Sequence, residues 1–374
     1  MWCISPPSRP FVGRRIAWSL VLGVAILITL HNLSAESNAR SASAATQQIV
    51  FMLPIGNALV PDPNHVYEVA IMNLDGSGFR QLTNDGKLKF LPHFSPDATK
   101  IIYTKFSIGG YGDPAAVYDI AVYDMETGLE TVITHDGNDS QGIWSPDGKH
   151  IAYIAAAGGY GAVQASTIWT ASPDGSNPQR LASASMSSDD LAWADIAWSS
   201  DNWILFVVAQ NVNGCYKVRT DKIRPDGSSR TRVTDGGPNC TPLGMEQSGD
   251  ADPGWSADGR TIFSSRGFPA PPAGVAATER KLYAFSSDPW YPGKPELDLS
   301  LPSEPSCIEG VPKGSPDGKH ILLFRACFET GVPQAGIYVT DTAGSYRMFI
   351  TNGFGPDWNP ITRSEWPRRR VVRH

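Results

Sequence analysis

Five carboxylates recur at comparable places along the chain. Asp139, Asp195, Asp250, Asp252 and Glu309 each lie a few residues ahead of a Trp, or of Gly314 where the Trp is replaced. Carboxylates converging on one opening would focus a negative potential there. They would suit a hard cation such as calcium, which takes oxygen ligands, or a cationic segment of a peptide. The plainer alternative is solvated loop charge. The matching approach to Phe94 carries Lys87 and Lys89 instead. The seven His do not pair at metal-ligand spacing, and no zinc motif, phosphate loop or Gly-x-Ser-x-Gly elbow is present. No cofactor is expected beyond a divalent cation such as calcium in that opening.

The elements that would position these groups are written in a repeat. Its copies are Phe94-Ser95-Pro96-Asp97, Trp144-Ser145-Pro146-Asp147, Trp198-Ser199-Ser200-Asp201, Trp255-Ser256-Ala257-Asp258 and the degenerate Gly314-Ser315-Pro316-Asp317. A partial copy, Asp357-Trp358-Asn359-Pro360, lies near the C-terminus. The spacing of about fifty residues marks a repeat architecture. Ser-Pro-Asp-Gly is turn chemistry, so the Asp residues inside the signature are read as turn formers rather than as catalysts. An apolar, β-prone run follows each turn, as at Ile151–Ala155. A second strand, a turn such as Pro173-Asp174-Gly175-Ser176 and a short outer strand complete the unit. Four antiparallel strands per repeat, stacked radially, predict an all-β propeller. The chain enters at Ile49–Leu53, which reads as a second strand, and leaves at Pro356–Pro360, which reads as a first strand. The ends complement each other. The expectation is six four-stranded blades, the C-terminal strand closing the ring against the N-terminal blade.

The order Trp-Ser-Pro-Asp-Gly-Lys, apolar strand, Ile-Tyr-Val-x-Asp, Asp-Gly-Ser and Leu-Thr resembles the TolB-type propeller repeat. Gly336–Asp341 and Asn73–Ser77 carry its central strand and turn, and the resemblance spans roughly residues 49 to 361. Where TolB has an α/β domain, only an apolar segment and a Ser/Ala-rich linker precede the repeats. Similar repeats occur in prolyl-oligopeptidase-type peptidases, whose hydrolase domain has no counterpart here.

The expected layout is a signal peptide or membrane anchor over 1–34, a linker over 35–47, the propeller over 48–362 and a basic tail over 363–374. Arg9, Arg14 and Arg15 precede the apolar run Ile16–Leu30, and small residues follow it. Export agrees with the cysteines. Cys307 and Cys327 lie symmetrically about Asp317, which places them across a hairpin, while Cys215 opens a central strand and Cys240 lies in the loop after that blade's outer strand. Disulfides Cys307–Cys327 and Cys215–Cys240 are expected, with four free thiols as the alternative.

Alternating strand direction sorts the loops onto two faces. The short signature turns share one. The other carries longer, dissimilar loops, two of which contain Gly-Gly-Tyr-Gly around Tyr111 and Tyr160. Variable loops on a rigid scaffold are where binding resides, and these tyrosines join the five carboxylates as candidate contacts. A blade duplication explains the shared motif equally well. The expected function is non-catalytic binding of a protein, peptide or small ligand around the central funnel, by a monomer. A net charge of −6 argues against nucleic acid, and membrane contact is expected only through the N-terminal segment. Propellers also include metal-dependent lactonases and sugar lyases. On that reading Asp139, Asp195, Asp252 and Glu309 would be ligands or base. A display or sensor module held by an N-terminal anchor is a third reading.

Overall fold

A computed structural model describes residues 47–56, 66–110, 113, 115–156, 166–181, 190–212, 215–236, 249–267, 280–301, 307–327 and 334–361. The expected leader, linker and basic tail, together with Tyr111, Tyr160 and Cys240, lie outside these residues. Cys215 is described through its backbone alone.

All regular structure among the described residues is β. Strands β1 (Gln48–Pro54), β2 (Tyr67–Asn73) and β3 (Arg80–Gln81) begin the first sheet. A second sheet is β4 (Lys89–Phe94), β5 (Lys100–Ile108), β6 (Val117–Asp124) and β7 (Glu130–Val132). A third is β8 (Asp139–Trp144), β9 (Ile151–Ala156), β10 (Ser166–Ala171) and β11 (Gln179–Arg180). Then follow β12 (Asp190–Trp198), β13 (Ile204–Val212), β14 (Cys215–Ile223) and β15 (Thr231–Arg232). Next are β16 (Gly249–Trp255), β17 (Thr261–Gly267), β18 (Arg280–Ser286) and β19 (Glu296–Asp298). The last are β20 (Cys307–Gly314), β21 (His320–Cys327), β22 (Gln334–Asp341), β23 (Met348–Thr351) and β24 (Phe354–Trp358).

Strands β12 to β23 form one continuous twelve-stranded sheet. Within it the antiparallel groups β12–β15, β16–β19 and β20–β23 are joined only by the parallel pairings Val218↔Gly249 and Arg280↔Ile308. The C-terminal β24 pairs with β1 in the order β24-β1-β2-β3, with Ile49 opposite Trp358. The chain ends thus complete one sheet, as their sequences require.

The apolar cores lie between successive sheets. Val50, Val69 and Ile71 pack on Phe94, Ile101 and Tyr103, and Ile143, Ile154 and Ile168 pack on Ile196, Ile204 and Phe206. Both faces of a sheet are covered this way. Consecutive residues such as Ile101, Ile102 and Tyr103 are therefore each 0% exposed, and the strands read as unbroken apolar runs rather than alternating ones. Burying each such side chain contributes roughly 1.5–3 kcal/mol.

The signature turns repeat one hydrogen-bond set. Ser95, Ser145, Ser199, Ser256 and Ser315 each donate Oγ–H to the following Asp Oδ1 at 2.6–2.7 Å. The same Oγ accepts the backbone N–H opening the next strand, at 2.9 Å from Lys100, His150, Trp203, Thr261 and His320. These bonds hold Asp147 and Asp258 below the usual carboxylate range, as the turn-former reading expects. Gly314 replaces the aromatic residue for a steric reason. A Cβ there would stand 2.5 Å from the carbonyl oxygen of Trp255.

Candidate functional site

Strands β4, β8, β12, β16, β20 and β24 lead into the signature, and each touches the next in a closed cycle. Every one is broken by a register shift in its antiparallel pairing. At the break, three residues before the signature aromatic or Gly314, stands a residue with left-handed backbone. These are Leu91 (φ 49°), Gln141 (56°), Asp195 (74°), Asp252 (50°), Val311 (52°) and Gly355 (56°). Only Gly adopts that region freely, and for β-branched Val it is an outlier. β-Bulges of this kind re-aim side chains and are frequent beside binding sites.

The ring has a polar half and an apolar half. Gln141, Asp195 and Asp252 stand on the adjacent strands β8, β12 and β16, and Val311, Gly355 and Leu91 on β20, β24 and β4. The polar half is linked head to tail. The Asp195 backbone N–H donates to Gln141 Oε1, and the Asp252 N–H donates to Asp195 Oδ2 at 3.2 Å. Both aspartates are half-buried. Burial, and then the charge of Asp252, pushes the Asp195 carboxyl up to about 7, against an opposing pull from Arg280. A carboxyl pair in such a position holds a proton between its members near neutral pH. A cation placed there would take over that proton's role.

The other three carboxylates share a different position, five residues before the signature aromatic or Gly314, which in the β4 copy is Lys89. Two of them are bound to arginines. Asp250, 0% exposed, accepts from Arg266 Nε at 2.6 Å and Nη2 at 3.1 Å. Glu309 accepts from Arg347 Nε at 2.6 Å and Nη2 at 2.9 Å, with Arg325 Nε 3.2 Å away. Arg266 and Arg325 are the cross-strand partners of these acids. The partner of Asp139 is Ala155. Asp139 is 2% exposed and its Oδ1 makes no hydrogen bond among the described residues. Burial pushes it up to about 6, helped by the charges of Asp136 and Asp119 and opposed by a bond from Thr134. Lys89, 0% exposed, pairs with Glu68 at 2.9 Å.

The structure therefore divides the expected set. It brings Asp195 and Asp252 together and ties Asp250 and Glu309 into buried ion pairs. Asp139 is set apart beside Asp119 and Thr134. Among the described residues no group of three or more His, Cys, Asp or Glu is placed to share a metal ion. Gln141, which links to Asp195, escapes sequence reasoning because only its register to Trp144 marks it.

Cys307 and Cys327 face each other in β20–β21 and form a disulfide. That bond is consistent with an oxidising, extracytoplasmic compartment. The expected Cys215–Cys240 bridge lies outside the described residues.

No protein-family model matches the chain. Among solved structures it is similar to TolB from Acinetobacter baumannii, with a TM-score of 0.56 and 20% identity, over 84% of this chain and 67% of that one. Hydrazine synthase of Kuenenia stuttgartiensis matches with a TM-score of 0.58 and 14% identity, over 87% of this chain and 48% of that one. A putative TolB from Agrobacterium tumefaciens matches with a TM-score of 0.51 and 13% identity, over 84% and 98%. The chain spans about two thirds of the Acinetobacter protein and about half of the hydrazine synthase chain. At these identities the likeness concerns the fold, which is that of a TolB-like β-propeller.

Proposed function

We propose that this chain is a six-bladed propeller acting outside the cytoplasm, which binds a protein or peptide segment over its central opening without chemistry of its own. The closed cycle of six innermost strands supports the blade count. The Cys307–Cys327 disulfide supports the compartment. The observation that carries the binding reading is the half-exposed Asp195–Asp252 pair. It is free of the arginines that occupy Asp250 and Glu309, and it stands beside the acceptor Gln141. The group it suits is a lysine ammonium or arginine guanidinium, which would replace the shared proton with two charge-assisted hydrogen bonds. Loops such as the one after β5 would then supply the remaining contact.

Fluorescence anisotropy with short labelled peptides tests this, comparing Lys- or Arg-containing sequences with their Gln-substituted forms. The cationic forms should bind more tightly, and Asp195→Asn with Asp252→Asn should abolish the preference. Equal binding of both forms, or a preference that survives the double substitution, would remove the reading. The metal-dependent alternative required Asp139, Asp195, Asp252 and Glu309 to act as one set. The arginines on Glu309 and the separate burial of Asp139 leave it without a supporting observation.

A further inference from the structure

Two residues beyond the left-handed ring, the same six strands contribute a second ring: His93, Ile143, Ala197, Gly254, Lys313 and Asp357. All six line one cavity of about 190 Å³ at the short-turn end of the innermost strands. Its volume is below the ~300–1,000 Å³ of drug-sized sites, so it suits a fragment-sized ligand.

The polar members are again consecutive, but on the other side. Lys313, Asp357 and His93 stand on β20, β24 and β4, the strands that carry the apolar half of the first ring. Ile143, Ala197 and Gly254 stand on β8, β12 and β16, beneath Gln141, Asp195 and Asp252. The carboxylate of Asp357 is already engaged. Its Oδ2 lies 3.3 Å from His93 Nδ1 and accepts the Phe94 backbone N–H at 3.2 Å. A proton on Nδ1 donates to that carboxylate and leaves Nε2 as an acceptor. Lys313 makes no ion pair among the described residues. Its ammonium is close enough to the imidazole to lower the His93 pKa, second only to burial and against the pull of Asp357. The cavity thus combines one ammonium held in no ion pair, one carboxylate whose Oδ2 is engaged by His93 and the Phe94 N–H, and a wall of small and apolar groups. Gly254 is required in that wall, since a Cβ there would stand 2.0 Å from the Pro312 carbonyl oxygen.

We propose that this cavity is a second ligand site, which takes a small carboxylate with an apolar body. The carboxylate pairs with Lys313, and the body lies against Ile143 and Ala197. The site is distinct from the Asp195–Asp252 pair in charge and in level along the strands, and its existence does not depend on that pair's function.

Isothermal titration calorimetry of the folded protein tests it with three probes: benzoate, acetate and benzylamine. Benzoate should bind, acetate at least tenfold more weakly, and benzylamine not at all. Lys313→Gln should weaken benzoate at least tenfold, and Ile143→Trp, which fills the cavity, should abolish its binding. Ala197→Met serves as a second filling variant if the first does not fold. Asp195→Asn with Asp252→Asn should leave benzoate affinity within twofold, which separates this site from the peptide-binding reading. The proposal fails if wild-type protein does not bind benzoate. It fails equally if benzylamine binds as well, if acetate matches benzoate, or if Lys313→Gln changes nothing.

Discussion

The backbone N–H of Asp252 donates to Oδ2 of Asp195 across neighbouring innermost strands, at 3.2 Å, and both residues are held in the left-handed region. The carboxyl pair is thus built by the backbone. A strand bulge turns each side chain along the ring, and the next bulge receives it.

A pH dependence of stability follows. The Asp195 carboxyl is raised to about 7, above the unfolded value of about 4. A raised acid contributes stability that is complete below the unfolded pKa and lost as pH rises through the folded one. Melting temperature should therefore fall between about pH 4 and pH 7 through this pair. Asp195→Asn should flatten that part of the profile. An identical profile in the variant would mean the two carboxyls do not share a proton.

Asp139 adds a separate contribution in a lower window. Its carboxyl, 2% exposed and raised to about 6, loses favour as pH climbs from about 4 through 6. At roughly 1.4 kcal/mol per pKa unit, Asp139→Asn should stabilise the protein at pH 8 by about 3 kcal/mol and do little at pH 4. Urea unfolding at the two pH values checks this. Ala155→Arg, which copies the Asp250–Arg266 arrangement, should also stabilise at pH 8.

Breaking that arrangement should be costly. Arg266→Met leaves Asp250, 0% exposed, without its guanidinium partner. A loss of about 3–5 kcal/mol is expected for a buried pair broken on one side. Asp250→Leu combined with Arg266→Met should recover most of it, because no buried charge at this pair then lacks its partner. Chemical denaturation of the two single variants and the double variant measures the coupling.

The disulfide closes a hairpin with a sequence separation of 20. Cys307→Ser with Cys327→Ser should cost about 3 kcal/mol, as loops of that length do. Reductant should lower the melting temperature of the wild type by more than that of the variant. A melt insensitive to reductant would mean that the bond contributes nothing to stability.

Much of the fold is legible in the amino-acid sequence. The five signature copies announce the repeat, and the complementary ends Ile49–Leu53 and Pro356–Pro360 announce the β1–β24 closure. The symmetric cysteines announce their hairpin. Each of these rests on local chemistry: Pro and Gly in turns, apolar runs in strands, and equal distances from a turn. The candidate site is legible only in outline. Residue type alone groups Asp250 and Glu309 with Asp195 and Asp252. Nothing in the chain marks Arg266, Arg325 and Arg347 as their partners, because Arg266 and Arg325 are brought over by cross-strand register and Arg347 from the segment ahead of β23.

The amino-acid sequence by itself determined the blade unit, because turn and strand propensities act over a few residues. Tertiary structure alone decided the left-handed ring. Leu91, Gln141 and Val311 have no intrinsic preference for positive φ, and they adopt it where the pairing register of their strands shifts. Ring closure also divided the charges. It set Asp195 against Asp252 on one side of the axis, and Lys313 against His93 on the other, one level away.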